Sequence, residues 1–182
     1  MNLSTELIVN TANTNILCAQ QRASYLAYNG CKSVIELCVG PSLKILEQAY
    51  KKEGIKVYGN DIETKYKKYY PQGNWIIGNC FDIKIPKDVD TIVFAPPLSK
   101  GCTGTREDSL PAKLVTPSYM DAINKFTNYN LVLVLPGRTV SVRSDKEYFH
   151  KLLHYIFRLN KYPSYYYLYN KVVKYVDIYI SK

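Results

Sequence analysis

Four stretches of this 182-residue chain carry side chains whose types and order suit one kind of site. The first is VIELCVGPS, Val34–Ser42, where an acid, Glu36, precedes Cys38, Gly40 and Pro41. The second, VYGNDIE, places Asp61 21 residues beyond Gly40. The third, IIGNCFDI, carries Asn79 and Cys80, and the fourth, TIVFAPPLS, carries Ala95, Pro96, Pro97 and Leu98. A strand, a tight turn and a helix N-terminus in that order make a nucleotide-sized pocket at the strand's carboxyl end. Gly40 lets backbone approach a ligand with no Cβ in the way. Pro41 suits a first helical turn, where no amide donor is needed. A dinucleotide-binding GxGxxG would need glycine where Cys38 and Leu43 stand, which argues against a nicotinamide cofactor.

In order and spacing the four stretches resemble class I S-adenosylmethionine-dependent methyltransferases, over roughly residues 17–180. The resemblance implies a Rossmann-like fold and S-adenosyl-L-methionine as cofactor. It implies that Glu36 organises the turn and reaches the methionine amino group. It gives Asp61 the ribose hydroxyls, with Glu63 in its place if the strand ends later. A carboxylate accepts two hydroxyls at once; the alternative for Asp61 is a turn acid capping the next segment. Asn79 stands where the family has an acceptor for the adenine amino group, with Cys80 and Phe81 lining that pocket. Asp82 replaces Asn79 if the register shifts, and a plain turn asparagine is the other reading. Cys38 and Ser42 occupy places where small glycines are usual, so this turn is bulkier.

APPL, Ala95–Leu98, resembles a degenerate Asp/Asn-Pro-Pro-aromatic motif of amino-methyltransferases. In that motif a side chain and the first proline's carbonyl accept from the target amine, and the aromatic ring stacks the base. Such acceptors aim the lone pair at the methyl group. Ala95 has no side-chain acceptor and Leu98 has no ring, while the backbone carbonyls remain. Three readings follow: carbonyls plus a residue of the 99–110 loop suffice, the target is not an exocyclic amine, or the protein binds without catalysis. In that loop Lys100 and Arg106 could grip phosphate, and Glu107 or Asp108 could accept a proton.

These residues need elements to hold them. The pattern expects a helix over Cys18–Asn29 with Ala19, Ala23, Leu26 and Ala27 near one face. Strands follow at Ser33–Val39, Lys56–Gly59, Asn74–Ile77 and Asp90–Ala95. Helices are expected at Pro41–Glu53, ended by Gly54, and at Ser118–Asn128 with Tyr119, Ile123 and Phe126 inward. Leu131–Leu135 is strand-like. Ser144 to Glu147 reads as a capping box ahead of Phe149, Leu152, Leu153, Ile156 and Phe157 at helical spacing. Tyr165–Tyr169 and Val172–Ile180 flank Asn170-Lys171 as a hairpin. The fold class is therefore α/β, a mainly parallel Rossmann-like sheet flanked by helices and closed by an antiparallel C-terminal hairpin. One domain over residues 1–182 is expected, with 1–16 a loose lead-in.

Composition sets the partners. The net charge is +9, and from Arg138 onward nine Lys or Arg face three Asp or Glu, interleaved with tyrosines such as Tyr155 and Tyr162. Basic residues attract phosphate and aromatic rings stack on unpaired bases, so nucleic acid, RNA or DNA, is a plausible partner. The alternative is that Lys solvates a surface while Tyr fills strands. His150 and His154, at i and i+4, read as surface residues because HEXXH and a third ligand are missing. Five scattered cysteines without a CxxC pair read as reduced thiols, hence a cytoplasmic setting. No stretch is long and apolar enough for a membrane span, and the first residues lack a signal peptide's pattern. The sequence thus reads as an S-adenosylmethionine-dependent methyltransferase, with N-methylation of a nucleic acid as its activity. The alternative is a non-catalytic methyltransferase-like protein that binds nucleic acid or a partner enzyme. With little chain beyond the core domain, either a protein partner supplies target recognition or the substrate is small or single-stranded.

Overall fold

Apolar residues alternate along the central strands, so each face of one sheet carries its own core. The computed structural model describes residues 16–69, 74–97, 112–136, 143–170 and 172–182. Seven strands form the sheet: β1 Ser33–Leu37, β2 Lys56–Asp61, β3 Trp75–Ile77, β4 Thr91–Phe94, β5 Asn130–Pro136, β6 Pro163–Asn170 and β7 Val172–Ile180. Their order is β3-β2-β1-β4-β5-β7-β6. Strands β1 to β5 pair in parallel; β7 is antiparallel to both β5 and β6. The plain dinucleotide-binding order is 3-2-1-4-5-6. Here the returning β7 is inserted between β5 and β6.

Among the described residues four α-helices cover the sheet: α1 Ile16–Tyr28, α2 Leu43–Lys52, α3 Ala112–Lys125 and α4 Arg143–Arg158. The chain leaves β1 toward β2 on one side and β4 toward β5 on the other. Right-handed crossovers then put α2 and α3 on opposite faces. On one face Val34, Val93 and Val132 pack with Ala23 and Leu26 of α1 and Leu43, Leu46 and Tyr50 of α2. On the other, Ile35, Phe94, Leu133 and Ile178 pack with Tyr119 and Ile123 of α3 and Leu152 and Ile156 of α4. Each such side chain removed from water stabilises by roughly 1.5–3 kcal/mol. Gly59 of β2 sits under Leu43: a Cβ there would lie 2.6 Å from Leu43 Cδ2, so the missing side chain lets α2 close on the strand.

The element expectations hold, with shifts at the ends. The helix expected from Ser118 starts at Ala112 and carries Pro117 inside it. Pro117 forfeits one helical hydrogen bond, but Val115, Tyr119, Ala122 and Phe126 continue one buried face across it. The expected Pro41–Glu53 helix opens as a 3-10 turn over Gly40–Ser42. Helix α4 starts at Arg143, one residue before the expected cap, and Phe157 is half exposed rather than part of its inward stripe.

Candidate functional site

Strand order reverses between β1 and β4, and in open α/β sheets that switch point opens a crevice at the strands' carboxyl ends. Both of the sequence's chief motifs end there. Leu37 pairs with Phe94, and the Ala95 amide donates to the Leu37 carbonyl at 3.3 Å. The β1 turn and the Ala95-Pro96-Pro97 run therefore leave the sheet side by side. Pro96 is buried, Ala95 half-buried and Pro97 exposed. Leu98, the loop residues Lys100, Arg106, Glu107 and Asp108, and also Arg138 and Lys171 lie outside the described residues.

The β1 turn is latched to the end of β2. The Val39 amide donates to the Asn60 carbonyl at 2.9 Å, and the Gly40 amide to Asp61 Oδ2 at 2.8 Å. Asp61 Oδ1 accepts the Glu63 amide at 2.9 Å. Asp61 thus has the geometry of the turn acid, one of its two readings, and it also lies against the glycine turn. A carboxylate has about four acceptor sites, so two remain for hydroxyls. Gly40 has φ 55°, and the space where its Cβ would be is open. Acceptors on Asp61 beside an uncluttered glycine turn fit the ribose of a nucleoside. Glu63, the fallback acid, is exposed and pairs with Lys65 at 3.4 Å.

Cys38 is left-handed, φ 58°, a conformation that costs a residue bearing a Cβ about 1–3 kcal/mol. Its thiol hydrogen-bonds Cys80, so the two cysteines of the β1 and β3 turns meet. That bond, with burial and the charge of Asp61, pushes the Cys38 thiol well above its usual range, while accepting it pulls Cys80 down. Phe81 beyond them stacks on Phe126, rings 6.1 Å apart. Asn79 is exposed, and its Oδ1 accepts the Phe81 amide at 3.1 Å, the turn-asparagine geometry. Its carbonyl takes the Asp82 amide at 2.8 Å, while the Asp82 side chain is exposed.

Glu36 departs from expectation. It is 1 % exposed, and Oε1 accepts the Tyr50 hydroxyl at 2.6 Å and faces Arg22 Nη1 at 3.5 Å. Arg22 holds Asp177 of β7 more closely, through Nε at 2.6 Å and Nη2 at 3.1 Å. The carboxylate turns to the helix side of the sheet because Arg22 and Tyr50 solvate it there. One cation serves two buried carboxylates. Burial would lower the Arg22 pKa, but Asp177 and then Glu36 hold it well above the usual value. Burial raises the Glu36 pKa, and its longer contact to Arg22 offsets this only in part. The sequence reading missed Arg22, Asp177 and Tyr50 as one cluster. The signal for Arg22 was its place between Cys18 and Leu26 on the apolar face of α1. It also missed Asn60, whose Nδ2 donates to the carbonyls of Ile76 (3.0 Å) and Gly78 (2.9 Å) and sets the turn ahead of Asn79. Its buried Oδ1 has no partner.

Solved structures with a similar fold include methyltransferases. The mitomycin 7-O-methyltransferase MmcR matches with TM-score 0.57 and 11% identity over 92% of this chain and 53% of its own, so the chain spans about half its length. An S-adenosylmethionine-dependent methyltransferase from Archaeoglobus fulgidus matches with TM-score 0.56 and 14% identity over 98% and 95%. The E. cuniculi Mtq2–Trm112 complex, responsible for methylation of the translation termination factor eRF1, matches with TM-score 0.54 and 18% identity over 92% of each chain. No family model matches the sequence, and no curated protein does. At these identities the likeness is one of fold: a Rossmann-like methyltransferase sheet with a returning C-terminal pair.

Proposed function

We propose that this chain binds S-adenosylmethionine where β1 and β4 end and transfers its methyl group to a nitrogen of a nucleic acid. The observation that carries the reading is the latch of Gly40 to Asp61 beside the Leu37–Ala95 contact, which joins a nucleoside-sized cradle to the APPL backbone. Asp61 would hold the ribose hydroxyls, the Val39–Gly40 turn the methionine side, and Asn79 with Cys80 the adenine side. The cofactor supplies an electrophilic methyl group on a sulfonium. The chain's own part is positioning. The carbonyls of Ala95 and Pro96 can accept from the target amine and turn its lone pair inward, and Pro96 and Pro97 restrict the backbone that carries them. Glu107 and Asp108 are the loop's available proton acceptors. The neighbours named above act on a small molecule and on a protein factor, and the preference for nucleic acid here comes from the basic, tyrosine-rich last quarter.

Calorimetry with S-adenosylhomocysteine tests the cofactor. The wild type is expected to bind, and Asp61→Ala to weaken binding by roughly 1–3 kcal/mol, the cost of unpaired hydroxyls. Equal affinity in a folded variant would remove Asp61 from the site. One observation favours the non-catalytic alternative: Ala95 brings no acceptor side chain. Labelled methyl transfer to mixed RNA and DNA separates the two, since a binding-only protein transfers none with the cofactor bound.

A further inference from the structure

Helix α4 follows β5 in the chain and finishes at Arg158. From there the chain re-enters the sheet at Pro163, which pairs with Ile180, the partner of Leu131 at the start of β5. The helix thus ends toward the edge of the sheet opposite the cofactor turn. Along its outer side an open groove of about 510 Å³ is lined by His150, Lys151, His154 and Arg158, with Tyr155, Met120 and one carboxylate, Glu147, which Lys151 pairs. His150, His154 and Arg158 are exposed at i, i+4 and i+8. One helical turn separates successive members, so three donors stand in a row at intervals of about 6 Å.

Two further observations say what such a row would meet. Lys151 is bound to Glu147 and lies 5.0 Å from the Tyr148 ring, but Arg158 makes no ion pair with any described residue. An unpaired guanidinium is a fork shaped for a phosphate. Beside it, Phe157 is 50% and Tyr162 81% exposed, with their rings 6.3 Å apart. Rings left in water next to a line of phosphate donors are what unpaired bases stack on. A single phosphate would need one donor cluster, not a row ending in aromatics.

We infer that a single-stranded nucleic acid lies along α4, its phosphates against His150, His154 and Arg158 and a base on Phe157 and Tyr162. This rests on the nucleic-acid reading above and adds where the strand docks, on a face separate from the cofactor turn. Fluorescence anisotropy with labelled single strands of RNA and DNA, about 15 nucleotides long, tests it without cofactor.

The wild type should bind, more weakly as salt rises. The variant His150→Ala/His154→Ala/Arg158→Ala should lose about tenfold or more, with a salt slope lower by about one for the lost arginine. Phe157→Ala/Tyr162→Ala should lose about fivefold or more with the slope unchanged. These are exposed positions, and circular dichroism and S-adenosylhomocysteine affinity should stay as in the wild type. Unchanged binding in both variants overturns the groove while leaving a nucleic-acid substrate standing. No binding by the wild type overturns both, and the S-adenosylhomocysteine titration then shows separately whether the cofactor reading survives. Capture by phosphatidylserine vesicles in place of oligonucleotides overturns the assignment in favour of a lipid surface.

Discussion

Glu36 shows how far a side chain's neighbours can change its role. An acid ahead of a glycine turn is expected to face the cofactor, yet here it is buried against Arg22 and Tyr50. Asp177 takes the better share of Arg22, so Glu36 is the less compensated carboxylate and its pKa lies above the usual value. The sign of the consequence follows. Above the unfolded pKa, near 4.5, and up to the raised folded value, the native state keeps a proton that the unfolded state has lost. Stability contributed by this residue therefore falls as pH rises through that window. Glu36→Gln keeps an acceptor for Tyr50 and cannot titrate. Thermal melts from acid to neutral pH should show the wild type losing stability relative to the variant as pH increases. Parallel profiles would mean that Glu36 ionises as easily folded as unfolded.

At the level of elements, the site depends on how closely α2 sits on β2. Leu43 opens α2 directly after the Gly40–Ser42 turn, and it packs where Gly59 has no Cβ. The same turn is bonded to Asp61 through the Gly40 amide. Gly59→Ala would force the buried Leu43 side chain to move, at a cost of about 1–3 kcal/mol by denaturant unfolding. Adding Leu43→Val should return part of the loss, giving a non-additive pair. Additive costs would show that Gly59 is needed for some other reason than Leu43. The Cys38–Cys80 contact ties the β1 and β3 turns in the same way across the other flank of the site.

For the whole molecule, the C-terminal pair of strands is part of the fold's foundation. Strand β7 covers the edge of β5, puts Ile178 and Ile180 into one core and places Asp177 against Arg22 from the far end of the chain. A chain ending at Tyr162 would leave Arg22 buried beside Glu36 alone and the outer edge of β5 without a partner, with β4 still paired on the other side. It should show no cooperative melt. The milder Asp177→Ala should cost about 3–5 kcal/mol, as losing one partner of a buried ion pair does. A cooperative transition in the shortened chain would refute this dependence.

What the sequence determined by itself was the set of elements and their order. Local patterns carry that information: the alternation in TIVF and NLVLVLP, the Asn29-Gly30 stop, the Gly40-Pro41 turn and the helical spacing of Leu152 and Ile156. Asp61 and Gly40 were legible as a pair because strand–turn–helix units bring such positions to one edge. Tertiary structure decided the rest. Pro117 signals a helix start locally, yet burial of Val115 and Thr116 draws the helix back to Ala112. Asn79 has the turn geometry, its Oδ1 on the Phe81 amide, and nothing in the local sequence tells that arrangement from any other. Arg22 and Asp177 are separated by 155 positions, and nothing local to either records the other. A charge can lie within an apolar strand or helix face only if an opposite charge arrives from elsewhere, because the cost of burying it alone is prohibitive. Which residue arrives is a property of the sheet order β5-β7, and no single stretch of the chain contains it.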